Sequence, residues 1–296
     1  MRKEFADQVS ILGKYANNVF LTGDLGFMAL EEVQEVYGDR FINCGISEQN
    51  MIGVSAGLAK SGFTVFVYSI APFVYARPFE QIRNDIVFND LPVCIVGNGG
   101  GYAYGYMGPT HHALEDCASM NALGLNVIVP AFDSDLSAIV CNITSPTYLR
   151  LGYETIPKNK NPPIYNSWRE LESGKQGVVV ALGPMAGLVW NAVLKIPPEI
   201  RPSIWAVCSF ELNEVPDVFL KKVKNKKLYI FEEHVISGGL GMLISYVLSS
   251  KNVTVESITH KYAIGYPKYS FGSQKYHQKE SGLDEKSILK TLLKNK

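Results

Sequence analysis

The sequence predicts an α/β protein of two domains, the first built on a mainly parallel sheet. Three observations predict it. The chain has 296 residues, about twice the ~150 of an average domain. Short apolar runs alternate with helix-patterned stretches, as in βαβ units. The run TIPKNKNPPIYN at 155–166, rich in Pro, Lys and Asn, then interrupts the pattern as a linker does. The reading is a domain at 1–155, a linker at 156–175 and a domain at 176–296.

The elements follow in order. Residues 19–22 (VFLT) read as a strand ending in Gly23-Asp24. Residues 30–37 read as a helix and 41–44 as a short strand. Residues 48–60, EQNMIGVSAGLAK, form a helix whose glycines at 53 and 57 allow close backbone packing. A buried strand at 64–68, a helix at 78–89 and a strand at 91–96 come next. A helix at 114–123, a strand at 126–130, a helix at 134–142 and a strand at 147–150 complete the first set. Strands at 176–182, 204–207, 227–231 and 253–257, with a helix at 238–249, make up the second set.

Composition narrows the function. Hydrophobic residues make up 47% and charged residues 19%, an ordinary globular balance that excludes a disordered chain. Basic and acidic residues number 28 each, so the net charge is zero. Nucleic acid and anionic membranes call for a cationic surface, and neither is expected as a partner. A neutral chain does not repel its neighbours, which favours association with other subunits. Five scattered cysteines, with no CxxC pair, fit reduced thiols better than a disulfide framework or a zinc site. Charges interrupt the N-terminal run, unlike a signal peptide. The most apolar stretch, 177–190, covers 14 residues and contains Pro184, short of the ~20 a membrane helix needs. The expected setting is the cytoplasm.

Three segments carry chemistry. In GISEQNM at 45–51, Glu48 stands where a strand ends and a helix begins, at the sheet edge where α/β proteins bind ligands. Helix capping explains it equally well. The run GGGYAYGYMGPTHH at 99–112 is a shaped loop after a strand, and it holds the adjacent pair His111 and His112. Adjacent histidines seldom converge on one ion, so acid–base or substrate contact fits better than a metal, beside a plain loop-ordering role. The segment 68–77, YSIAPFVYAR, offers an aromatic wall for a heteroaromatic ring, or simply core.

Taken in order, GISEQNM, the aromatic segment, GPTHH at 108–112 and PTYLR at 146–150 resemble the transketolase family, and within it transketolase and 1-deoxyxylulose-5-phosphate synthase. The run FEEH at 231–234, followed by GGLG at 238–241, is similar to their C-terminal domain. The resemblance spans essentially the whole chain. It implies a thiamine-diphosphate pyrimidine-binding fold followed by a transketolase C-terminal-like α/β domain. Single-chain members also carry a diphosphate-binding domain, marked by Gly-Asp-Gly and a later Asn that hold magnesium. That signature is missing; Gly23-Asp24-Leu25-Gly26 only echoes it. The implied protein is therefore the C-terminal subunit of a split transketolase, with no metal ligands of its own. An N-terminal partner would hold the diphosphate and Mg2+, in an α2β2 heterotetramer.

The resemblance also implies roles. Glu48 would hydrogen-bond N1′ of the aminopyrimidine and favour the imino tautomer that takes the thiazolium C2 proton. Phe73 and Tyr75 would stack on that ring, and Asp24 would lie near the cofactor. His111 would touch substrate oxygens and move protons during C–C cleavage and ligation. Arg150 would bind a sugar phosphate. His112, Arg77 and Met107 would be further substrate contacts. Met107 stands where transketolases carry an Asp that contacts a donor hydroxyl, and a thioether accepts no strong hydrogen bond. A changed sugar or a less polar 2-oxo acid donor follows. The alternatives are the β subunit of a 2-oxo-acid dehydrogenase, disfavoured by GPTHH and the acidic helix after it, and a non-catalytic transketolase-like subunit.

Overall fold

The computed structural model describes residues 1–294. The first sheet has six strands: β1 (Asn18–Thr22), β2 (Phe41–Asn43), β3 (Thr64–Ile70), β4 (Val93–Asn98), β5 (Asn126–Ile128) and β6 (Thr147–Leu151). Their order is β2-β1-β3-β4-β6-β5, and every neighbouring pair is parallel. Alternate residues of each central strand face opposite sides. Val19, Leu21, Val65, Val67, Val93 and Ile95 pack with Met51, Ile52 and Ala56 of the helix Glu48–Lys60. Phe20, Phe66, Tyr68, Cys94 and Val96 pack with Phe5, Ala6 and Val9 of the helix Arg2–Leu12. Both faces are covered, which is why these strands read as continuous apolar runs. The charged N-terminal run gave no helix signal; its apolar residues form one narrow stripe.

The second sheet comprises β7 (Trp168–Glu172), β8 (Val178–Leu182), β9 (Ser203–Val207), β10 (Lys227–Phe231) and β11 (Ser257–Lys261). Its order is β11-β10-β8-β9-β7, parallel except for β7 against β9. Two sequence readings are corrected here. The span 156–175 is not all linker, because it contains β7. The strand expected at 253–257 forms instead at Ser257–Lys261. Val253 and Val255 pack against the core as the chain enters the sheet, while β11 itself is a polar edge strand, SITHK, with little apolar signal. Among the described residues no helix is long and apolar enough to cross a membrane.

The two sheets are tied together. Val129 donates its backbone N–H to Cys208 at 2.8 Å, and Arg169 of β7 forms a buried ion pair with Asp135 at 2.8 Å. In the first sheet the chain runs from β1 out to β2 and then crosses back to β3. That reversal opens a crevice at the carboxyl ends of the strands, where ligands bind in open α/β sheets.

Candidate active site

The loops after β1, β2 and β3 meet at that crevice. Asn43 joins the first two. Its side-chain oxygen accepts the backbone N–H groups of Asp24 and Gly45 at 3.0 and 2.9 Å, and its amide donates to Asp24 Oδ1 at 3.2 Å. A Cβ at Gly23 would stand 3.0 Å from the Gly45 carbonyl oxygen, so the close approach depends on a residue without one. Asp24 is exposed at this junction. Sequence reasoning missed Asn43, which carries no motif and acts by joining two loops distant in sequence.

Glu48 is the first residue of the helix Glu48–Lys60 and is only 6% exposed. Its Oε1 accepts a 2.6 Å hydrogen bond from Arg77, whose side chain is half exposed. Arg77 follows the short helix Ala71–Ala76, which opens with Pro72 in its first turn, where the missing N–H costs nothing. The guanidinium lies 3.9 Å from the centre of the Phe73 ring. Phe73 is half-buried and meets the His111 imidazole at 5.1 Å, with the rings inclined at 66°. Glu48, Arg77, Phe73 and His111 therefore form one chain of contacts, and an open cleft of about 580 Å³, lined by residues 46–50 and Arg77, lies at its Glu48 end.

His111 comes from the glycine loop after β4. Its Nδ1 lies 2.9 Å from Thr110 Oγ1. Partial burial, and then the nearby Arg77 charge, hold its pKa below the usual histidine range. The ring is thus neutral near pH 7, a state able to accept a proton. Phe27, Met28, Ile46, Tyr106 and Met107, all exposed, stand on loops at the same edge of the sheet, and Ile46 lines the cleft. Phe27 reaches 85% exposure and Ile46 81%.

Three residues expected at the site lie elsewhere. Arg150 is buried, away from the Glu48 cleft, and its guanidinium is taken up by protein partners. Its Nε pairs with Asp116 at 3.1 Å, and one terminal nitrogen donates to the carbonyls of Ala113 and Glu233, each at 2.9 Å. The other terminal nitrogen points to the Cys117 sulfur at 3.7 Å. His112 is buried in a ring cluster, 5.2 Å from Tyr102 and 4.9 Å from His277, so it offers no face to substrate. Tyr75 is buried and spends its hydroxyl on Glu115 at 2.8 Å; it does not share the Phe73 wall. In each case the sequence shows the residue type, and partners distant in sequence decide its direction: Asp116 and Glu233 for Arg150, His277 for His112 and Glu115 for Tyr75.

Ligand-type atoms of Asp116, Cys117 and His234 lie within 4.8 Å of one another. Arg150 already bonds the first two, while both His234 nitrogens are engaged by backbone. The cluster is an internal ion-pair network. A separate, mostly apolar cavity of about 170 Å³ lies between β6 and the second domain, bordered by Leu151, Pro184, Met185 and Gln278.

This geometry meets its relatives at residues 1–155, which match the transketolase pyrimidine-binding domain. The chain belongs to the transketolase family. It is 28% identical to one subunit of the apulose-4-phosphate transketolase of Phocaeicola vulgatus, over 99% of this chain and 96% of that one. It is 30% identical to a putative transketolase C-terminal section of Methanocaldococcus jannaschii, over 86% of this chain and 83% of the other. Among solved structures it is similar to a split gene transketolase described as an inactive beta4 tetramer. That likeness has a TM-score of 0.83 and 27% identity, and covers 99% of this chain and 96% of that one. In this transketolase-family chain the carboxylate of Glu48, the guanidinium of Arg77, the ring of Phe73 and the imidazole of His111 stand in one line of contacts.

Proposed function

We propose that this chain is the C-terminal subunit of a two-component, thiamine-diphosphate-dependent transketolase that moves a two-carbon ketol unit between sugars or sugar phosphates. The observation that carries the reading is the junction of Glu48, Phe73 and His111 at the crevice of the parallel sheet. The donor set suits an aminopyrimidine: a buried carboxylate, and beside it the aromatic ring of Phe73, on which the Arg77 guanidinium now lies. Thiamine diphosphate supplies the carbon nucleophile for cleavage and ligation when bound. Glu48 holds and shares a proton at the pyrimidine N1′, Phe73 orients the ring, and Asp24 borders it. His111, neutral at pH 7, takes and returns protons at substrate oxygens, with Arg77 and Met107 beside it.

This chain supplies no group for the diphosphate and Mg2+ in that reading; an N-terminal partner holds them, with two copies of each chain in the assembly. The exposed apolar rim of Phe27, Met28, Ile46 and Tyr106 supports a partner over the cleft, since such a patch marks an interface. The inactive state of the similar beta4 tetramer agrees with it. The exposed thioether of Met107 in place of a carboxylate supports a donor other than the common ketose phosphates. The relative named for apulose 4-phosphate supports a sugar phosphate as the substrate class.

The test mixes the chain with an N-terminal transketolase subunit and measures ketol transfer with thiamine diphosphate and Mg2+. Activity is expected only in the mixture, and Glu48→Ala abolishes it. Turnover by the chain alone, or near-normal activity of Glu48→Ala, overturns the reading. Acyl transfer to lipoamide from a 2-oxo acid assigns the chain to the dehydrogenase alternative.

A further inference from the structure

The same contacts carry a second meaning, which rests on the cofactor-site reading above. We propose that Arg77 closes the site in the unpartnered chain by occupying the place of the aminopyrimidine, and hands Glu48 over when the cofactor binds. A guanidinium is a planar cation with N–H donors in its own plane. Arg77 places its guanidinium carbon 3.9 Å over the centre of the Phe73 ring and donates to Glu48 Oε1 at 2.6 Å. A protonated aminopyrimidine asks for the same two surfaces: an aromatic face to stack on and a carboxylate to receive its ring N–H. Two planar groups cannot share one face and one oxygen, so the side chain and the ring compete.

The device is also built to open. Arg77 caps the end of the short helix Ala71–Ala76 with its side chain 44% exposed, while Glu48 is 7% exposed at the side chain and fixed in a helix. The long arginine can swing into solvent; the glutamate cannot follow. The pairing also gives the buried carboxylate a partner until the ring arrives, and a buried charge without one is costly. Arg77 is thus a gate and a positioning residue for Glu48.

A closed fraction of about nine-tenths, reasonable for one half-exposed ion pair with a cation–π contact, weakens apparent affinity about tenfold. The experiment titrates the full chain with thiamine, and the assembled enzyme with thiamine diphosphate, by quenching of intrinsic fluorescence. Arg77→Ala is expected to bind both about tenfold more tightly than wild type. Arg77→Lys, which keeps the charge and loses the plane, is expected between them. Adding Phe73→Ala to Arg77→Ala is expected to remove the gain. Equal or weaker binding by Arg77→Ala overturns the gate while Glu48→Gln, if it lowers binding, leaves the site reading standing. Absence of binding in every form, with Glu48→Gln without effect in the assembled enzyme, overturns the site reading and the gate with it.

Discussion

Arg150→Met separates a structural arginine from a substrate-binding one. The guanidinium is 5% exposed and Asp116 is fully buried. Arg150 and Tyr148 both bind Asp116 Oδ2, and Oδ1 has no hydrogen-bond partner, so removing the cation leaves this carboxylate only the Tyr148 hydroxyl, at 2.7 Å. The carbonyls of Ala113 and Glu233 lose their Arg150 donors as well. Breaking one side of a buried ion pair costs about 3–5 kcal/mol. In a chain of this size that lowers Tm by roughly 5–8 °C. Thermal unfolding followed by circular dichroism reads it directly. Pairing the change with Asp116→Asn, which removes the stranded charge, should recover part of the loss, so the two effects should not add. An Arg150→Met chain that melts within a couple of degrees of wild type, yet raises the KM for a sugar phosphate in the assembled enzyme, refutes the placement.

Three further outcomes are expected. Gly105→Ala puts a Cβ 2.4 Å from the Gly272 carbonyl oxygen and 2.6 Å from the Ser273 backbone, so it should cost about 1–3 kcal/mol in urea unfolding and loosen the His111 loop. Asn43→Ala should change stability by no more than ~1 kcal/mol, being exposed, yet weaken cofactor binding in the assembled enzyme by releasing the Asp24 and Gly45 loops, as a fluorescence titration will show. Burial depresses the pKa values of His112, His234 and His277, so the folded chain binds fewer protons than the unfolded chain below the ordinary value of ~6.5. Their contribution to stability is full above that pH and is lost as pH falls through the depressed values. Tm should therefore drop between pH 7.5 and 5.5, and His112→Phe should flatten part of that drop.

Much of this fold was legible. Parallel strands buried on both faces leave unbroken apolar runs, and 64–68, 91–96 and 227–231 were visible for that reason. The helix Arg2–Leu12 was not, because three apolar positions on one stripe are diluted by charges. β7 was hidden because an antiparallel edge strand, WRELE, needs few apolar residues. At the site, Glu48, Phe73 and His111 were found through motif order, and they converge because parallel strands deliver their following loops to one edge. Arg150, His112 and Tyr75 were misdirected by the same motif logic. Their partners lie well apart in sequence, Glu233 for Arg150, His277 for His112 and Glu115 for Tyr75, and local spacing holds no information on such contacts. Arg77 was recognised, but its hold on Glu48 was not, since that contact bridges 29 positions.

The glycine loop has one more consequence. Tyr102 donates its backbone N–H to Glu233 at 2.7 Å and its hydroxyl to the Gly265 carbonyl at 2.7 Å, while Gln274 and Gln278 hold the same Glu233 carboxylate. The loop that presents His111 is thus moored to the far half of the molecule as well as to the sheet from which it springs, where Gly99 and Gly100 donate to the Leu151 carbonyl at 3.0 Å. The two halves are therefore expected to share one melting event. A protease that nicks residues 157–166 should yield two fragments on a denaturing gel and a single particle in solution, still carrying an ordered loop.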